Sequence, residues 1–402
     1  MSSRAAIVGG KPVRKFFLPF YRPSIGREEI DSVKRVLKSG WITTGEITKR
    51  FEHDFKKYIG TKFAIAVNSC TAGLHLSLVA TGIEEGDEVI TSPLTFAATA
   101  NVIVHQKAKP VFADIDKETL NISPESIIKK ISSKTKAILP VHIAGLPCEM
   151  KEILDIARNN HIVVIEDAAH ALGSEYQDKK IGRLGTATAF SFHAVKNITT
   201  AEGGMVTTDN KKLAEKIRIL SFHGLDKDAW SREANIKPWY YRVLNAGYKC
   251  NLSDMQSALG IEQLKRLKYF LALRKRYAKT YNEAFKGIPE LVLPKQVKGT
   301  KHSWHLYIIK LEIERLKINR DQFIQALRRE NIATSVHFIP LHLHPFYQKQ
   351  FGYKKGDFPN AEDAYKRIVS LPLYPKMTKK DVNDVIVAVK KVLFRHKKRN
   401  LL

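Results

Sequence analysis

The chain is predicted to be an α/β protein whose main body is a mainly parallel sheet covered by helices, with a smaller α+β region after it. Two observations carry this. Between about residues 60 and 210, short β-branched runs alternate with amphipathic helical stretches, the rhythm of strand–helix–strand units. The length of 402 residues also exceeds one ordinary domain and supplies ample material for a core.

Residues 63–67, 88–92, 110–115, 137–142, 162–165, 187–192 and 205–208 are the predicted strands. Residues 149–159 form a helix, with Met150, Ile153, Leu154 and Ala157 at helical spacing. Residues 251–267 give another helix, followed by a long charged one running to about residue 286. Pro289, Pro294 and Gly299 then punctuate the chain. Beyond them 304–313 alternates like a strand, 320–329 like a helix, 334–339 like a strand, and 381–393 is a closing helix. The predicted organisation is an N-terminal arm over 1–30, a large domain over 31–289 and a small domain over 290–402.

Composition excludes several functions. Hydrophobic residues make up 44% and charged residues 27%, an ordinary globular mixture. No apolar run approaches the roughly 18 residues that cross a bilayer, so no membrane insertion is expected. Residues 1–19 lack the continuous apolar stretch of a secretory signal. Three widely spaced cysteines (Cys70, Cys148 and Cys250) suit a reducing cytoplasm better than a disulfide framework. Lys plus Arg outnumber Asp plus Glu by 67 to 40, a formal charge of +27. The basic residues spread along the chain with no nucleic-acid motif beside them, so a solvated basic surface is the expectation.

In a sheet of this kind ligands gather beyond the carboxyl ends of the strands, where the informative residues lie. The segment Ser191-Phe-His-Ala-Val-Lys-Asn-Ile-Thr-Thr-Ala-Glu-Gly-Gly204 places Lys196 just past a strand end. A deprotonated lysine amine attacks aldehydes, although a lone lysine at such a position is more often a solvated charge. Asp167 closes the apolar run in Val163-Val-Ile-Glu-Asp167. A carboxylate at that edge would keep a pyridinium nitrogen protonated, or would merely cap or form an ion pair. Asn68-Ser-Cys-Thr-Ala-Gly73 offers hydroxyls and backbone N–H groups to a phosphate at a helix start; simple capping explains it equally. Phe96, just past another strand end, would lie flat on a ring or pack in the core.

Together these segments resemble the DegT-type (DegT/DnrJ/StrS) sugar aminotransferases, a branch of the fold-type I pyridoxal-phosphate enzymes. The likeness runs through Ser39-Gly-Trp-Ile-Thr-Thr-Gly45, Gly86-Asp-Glu-Val-Ile90, Glu166-Asp-Ala-Ala-His-Ala-Leu-Gly173, the lysine segment, Gly247-Tyr-Lys-Cys-Asn-Leu-Ser-Asp254 and Val336-His-Phe-Ile-Pro340. The 247–254 segment and Ser303-Trp-His-Leu-Tyr307 look closest to the branch making UDP-4-amino-4-deoxy-L-arabinose. Residues 174–204 also resemble the pseudaminic-acid branch.

The resemblance implies a pyridoxal 5′-phosphate enzyme moving an amino group from glutamate to a nucleotide-linked keto-sugar, a UDP-4-keto-sugar by preference. It implies Lys196 as Schiff-base lysine and proton shuttle, Asp167 at the pyridine nitrogen, Phe96 on the ring and His170 near the 3-oxygen. Thr71, Ala72 and Ser191 would hold the phosphate, with Asn251, and less firmly Lys249, reaching it from the neighbouring subunit of a homodimer. The family usually has glycine where Cys70 stands, a change that a backbone contact survives. His337, His342, His344 and Tyr347 lack a carboxylate at metal-ligand spacing, and the family uses no metal. His337 and Tyr347 are therefore expected at a substrate-facing edge. Residues 226–246, with Trp230, Trp239, Tyr240 and Tyr241, form a loop over the entrance or an ordinary surface excursion. Two other readings compete: a sugar dehydratase, whose members carry histidine at the position of Lys196, and a non-catalytic basic binding protein retaining the fold.

Overall fold

The predicted alternation of strands and helices organises the computed structural model, which describes residues 6–226 and 239–398. The strands up to residue 208 are β1 (Phe63–Val67), β2 (Glu88–Thr91), β3 (Lys109–Phe112), β4 (Thr135–Leu139), β5 (Val163–Asp167), β6 (Glu175–Tyr176), β7 (Lys179–Lys180), β8 (Ala187–Ser191) and β9 (Gly204–Thr208). Seven of them form one sheet in the order β1-β9-β8-β5-β4-β2-β3. The pairs β2/β3, β2/β4, β4/β5 and β5/β8 are parallel. Only β9 reverses, antiparallel to both β1 and β8. Every residue of β8 and β9 is buried, as expected of strands covered on both faces.

That reversal positions the site. β8 ends at Ser191 and β9 begins at Gly204, so their connection, which carries Lys196, crosses the carboxyl edge of the sheet. β9 passes close to the turn after β1. A Cβ on Gly204 would lie 2.6 Å from the Ser69 carbonyl carbon, an approach only glycine permits.

Two predictions are corrected here. The stretch expected as two helices is one 32-residue helix, Asp254–Phe285, started by a reciprocal cap between Ser253 and Gln256. Its buried face continues without a break but changes partners. Ile261, Leu267 and Phe270 join the core beneath the sheet, and Leu273, Tyr277, Tyr281 and Phe285 join a second core. The charged residues on either side of that change, Lys265, Arg266 and Lys268 before it and Arg274, Lys275 and Arg276 after it, made one helix read as two.

The segment 334–339 is not a strand, because only Ser335 pairs, in an isolated bridge to Ser370. After that pair the chain leaves the sheet, and Val336 and Phe338 pack against a third cluster.

The C-terminal region has a three-stranded antiparallel sheet of β10 (Leu291–Val292), β12 (Tyr307–Leu311) and β13 (Ile368–Leu371); β11 (Thr300–Lys301) pairs instead with β6. The helices Arg320–Arg329 and Lys379–His396 cover its core. The N-terminal segment is tied to this region: Leu18 N–H donates to Asn331 O at 2.9 Å, and Arg14 pairs with Asp381 and Asp384. Among the described residues no helix is long and apolar enough to cross a membrane.

Candidate active site

A cavity of about 460 Å3 opens at the carboxyl edge of the main sheet, between it and the C-terminal region. Asp167, the last residue of β5, reaches it because β5 alternates sides: Glu166 faces away, fully buried against His142 at 3.0 Å. Two donors fix the Asp167 carboxylate. Thr99 Oγ1 donates to Oδ2 at 2.8 Å, and the Ala169 N–H donates to Oδ1 at 3.1 Å. The Cys70 thiol lies 3.9 Å from Oδ1, and burial pushes its pKa well up.

The helix Cys70–Thr81 starts beside that carboxylate. Ser69 caps it by accepting the Ala72 N–H at 3.0 Å. Ser69, Thr71, Ser191 and Gly203 line the same part of the cavity wall, so hydroxyls and a helix N-terminus converge as an anion would require.

Lys196 is half-buried and faces this space. Its backbone is held on both sides, with its N–H donating to His193 O at 2.9 Å and its carbonyl accepting the Tyr21 hydroxyl at 3.3 Å. Loss of solvent brings its amine down to about 8, against the opposing pull of Cys70 and Asp167.

Besides His193, three histidines complete the lining. His170 Nδ1 accepts the Ala144 N–H at 3.3 Å, which leaves Nε2 to carry the proton of the neutral ring. Burial, then Lys196 and His337, hold its pKa well below the usual value. His337 Nδ1 lies 2.8 Å from Ser370 Oγ, and burial with Lys196 pushes its pKa down to about 4. The ring of His305 lies 4.4 Å from that of His170. Phe338 stacks on His170 at 6.0 Å and meets Phe96 at the same centroid distance. Phe96 is 63% exposed, not core-packed.

Of the residues singled out by sequence, Lys196, Asp167, Thr71, Ser191, Phe96, His170 and His337 line this one cavity. Others do not. Ala72 is buried behind it, with its N–H committed to the Ser69 cap. Asn251 donates to Thr44 Oγ1 at 2.6 Å and faces a separate cavity of about 320 Å3. Lys249 lies 4.3 Å over the Phe222 ring.

Tyr347 corrects an expectation. It is 3% exposed, packs on Phe112 and Phe351, and donates to Asn101 Oδ1 at 2.6 Å. The helix Pro345–Phe351 turns it into the third core rather than toward the cavity. Tyr347→Phe is accordingly expected to lower stability by about 1–2 kcal/mol with kcat/KM unchanged, measured by urea unfolding and steady-state kinetics.

His342 pairs with Glu362 at 3.0 Å away from the site. Among the described residues no three His, Cys, Asp or Glu side chains group as a metal site. Trp230 lies outside the described residues; Trp239, Tyr240 and Tyr241 are exposed and do not line the cavity.

Sequence reading missed Tyr21, Thr95, Thr99, His305, Phe338 and Glu202, all of which line the cavity. Thr99 carried a signal, being one helical turn beyond Phe96. His305 stood inside the Ser303–Tyr307 segment that carried the family likeness but was given no task there, and Tyr21, from a distant segment, carried no signal.

The residues present fit pyridoxal phosphate. The amine, the carboxylate and the hydroxyl-rich helix start are the three partners that an aldehyde, a pyridine nitrogen and a phosphate need.

The profile of the DegT/DnrJ/EryC1/StrS aminotransferase family matches residues 23–390. The spore coat polysaccharide biosynthesis protein SpsC of Bacillus subtilis is 52% identical over 94% of this chain and 98% of its own. Spr1654 of Streptococcus pneumoniae, solved in a PLP-form, superposes with a TM-score of 0.87 at 33% identity, covering 94% of this chain and 99% of that one. PseC of Helicobacter pylori, an aminotransferase involved in the biosynthesis of pseudoaminic acid, gives a TM-score of 0.88 at 32% identity over 95% and 100% of the two chains.

Proposed function

Because this chain belongs to the DegT/DnrJ/EryC1/StrS aminotransferase family, and is thereby a pyridoxal-phosphate-dependent sugar aminotransferase, we propose that Lys196 is its cofactor-bearing and proton-transferring residue. We further propose glutamate as amino donor and a nucleotide-linked keto-sugar, a UDP-4-keto-sugar by preference, as acceptor. The product would feed surface polysaccharide, lipid A or glycan synthesis, the first of these supported by the likeness to SpsC. The observation that carries the proposal is one cavity holding Lys196, Asp167 and the Ser69–Thr71 helix start together.

Each residue then has a task. Asp167, held by Thr99 and Ala169, would keep a proton on the cofactor's ring nitrogen. Thr71 and Ser191, with the helix start, would hold the phosphate, and Phe96 would cover the ring. His170, with its proton on Nε2, would donate to the ring oxygen. When bound, pyridoxal phosphate supplies an electron sink that lets an adjacent carbon lose its proton. Lys196 would accept that proton at Nζ and return it to a second carbon two bonds away, across the nitrogen being transferred; an amine with a pKa of about 8 is suited to both directions near neutrality.

Asn251 lies outside this chain's own cavity, which suits a residue serving a neighbour's site in a homodimer. The unpaired thiols of Cys70, Cys148 and Cys250 support a reducing, cytoplasmic setting. The dehydratase alternative needs a histidine where Lys196 stands.

The test is spectroscopic. Purified holoenzyme should show a near-visible band that glutamate shifts and that a keto-sugar from a UDP, dTDP and GDP panel restores. A band indifferent to glutamate would remove the donor assignment. Restoration by a dTDP sugar alone would overturn the UDP preference.

A further inference from the structure

The cavity has two chemically different walls. The sheet edge supplies Ser69, Thr71, Thr99, Asp167, Ser191 and Lys196, all with tasks in the reading above, on which this inference rests. The C-terminal wall supplies His305, Leu306, Ser335, His337, Leu371 and Leu373, and of these only His337 was expected from sequence. No arginine is among the described residues lining the cavity, so a carboxylate entering it must find other donors in this chain.

His305 is placed to be one. It is 4% exposed, and it lines the cavity with its ring against His170. Its Nδ1 is buried without a hydrogen-bond partner. A buried N–H left unpaired costs more than a buried lone pair, so the ring proton belongs on Nε2, leaving Nδ1 as the unpaired acceptor. Burial first, then His170, Lys196, Arg274 and His337, hold the ring well below its usual pKa, so Nε2–H is a neutral donor.

The wall behind it is fixed by Arg274. This fully buried residue of the helix Asp254–Phe285 donates through Nη1 to three carbonyls: Trp304 at 3.1 Å, His305 at 3.0 Å and Leu373 at 2.8 Å. Two of the three belong to cavity-lining residues. Arg274 thereby ties the segment before β12 to the segment after β13, and the backbone of His305 cannot retreat from the cavity without breaking that tie.

We propose that His305 is a substrate-contacting residue whose Nε2–H receives a carboxylate of the amino donor, with Arg274 as the positioning residue that holds it there.

The experiment compares wild-type holoenzyme with His305→Phe, His305→Asn and Arg274→Lys. The donor half-reaction is followed by the glutamate-dependent change of the near-visible band. In His305→Phe the half-saturating glutamate concentration should rise about tenfold or more, as for loss of one hydrogen bond to a charged group. The limiting rate should move much less, and cofactor affinity, measured by dialysis, should stay as in wild type. His305→Asn, which keeps a side-chain donor, should recover part of the loss. Arg274→Lys, which can still serve carbonyls, should lie between wild type and His305→Phe. If His305→Phe folds, judged by circular dichroism, and saturates as wild type does, the inference is overturned while the aminotransferase reading stands. If His305→Phe does not fold, His305→Asn decides by the same comparison: unchanged saturation in it overturns the inference. If wild type holds the cofactor but ignores glutamate, the donor assignment falls and this inference with it.

Discussion

Replacing Lys196 by alanine is expected to lower turnover by about 1000-fold or more, since one positioned acid–base group contributes roughly 100- to 10,000-fold and Lys196 would serve both halves of the transfer. The fold should survive. The side chain belongs to no hydrophobic cluster, and its backbone contacts to His193 and Tyr21 do not depend on the amine. Near-visible absorbance and circular dichroism of the variant separate the two effects. The pH dependence follows from the amine at about 8. The neutral, reactive form is about one-tenth of the population at pH 7 and about nine-tenths at pH 9. Uptake of pyridoxal phosphate by the apoprotein should therefore quicken as pH rises through 8 and level off above about 9. A flat uptake rate between pH 6.5 and 9, or a Lys196→Ala variant with ordinary turnover, would remove Lys196 from the role.

Asp167→Asn is the second large effect. The amide matches the carboxylate in shape but has no charge, so a ring nitrogen beside it would lose its reason to stay protonated. An opposite charge at close range moves a neighbouring pKa by roughly 1–3 units, and the donor half-reaction should slow by a comparable factor, about 10- to 1000-fold. The supporting groups make the loss worse. Thr99 Oγ1 and the Ala169 N–H both donate to this side chain, and an amide nitrogen turned toward either would leave two donors facing each other. The change should appear in the limiting rate rather than in glutamate saturation, which distinguishes Asp167 from His305. A limiting rate within twofold of wild type would show that Asp167 is not the ring's partner.

What the sequence determined by itself is the sheet edge of the site. Asp167 ends the apolar run of β5, Ser69 and Thr71 follow β1, and Lys196 follows β8. A run of buried residues that stops at a polar one is a local signal, and parallel topology sends such ends to one side. The mainly parallel sheet was legible for the same reason.

Tertiary structure alone decided the opposite wall. Tyr21 reaches Lys196 across 175 positions, and the Tyr347 hydroxyl finds Asn101 across 246. Neither pairing leaves a mark in local spacing, so Tyr347 read as an edge residue and Tyr21 went unread. His305 and Arg274 meet because the second half of the helix Asp254–Phe285 packs on the C-terminal core, a helix that its charged middle had split in two. Alternation of residue types fixes where a strand ends. Which distant side chain then closes the cavity depends on how two cores pack together, and that is settled by contacts between segments from 31 to 246 residues apart.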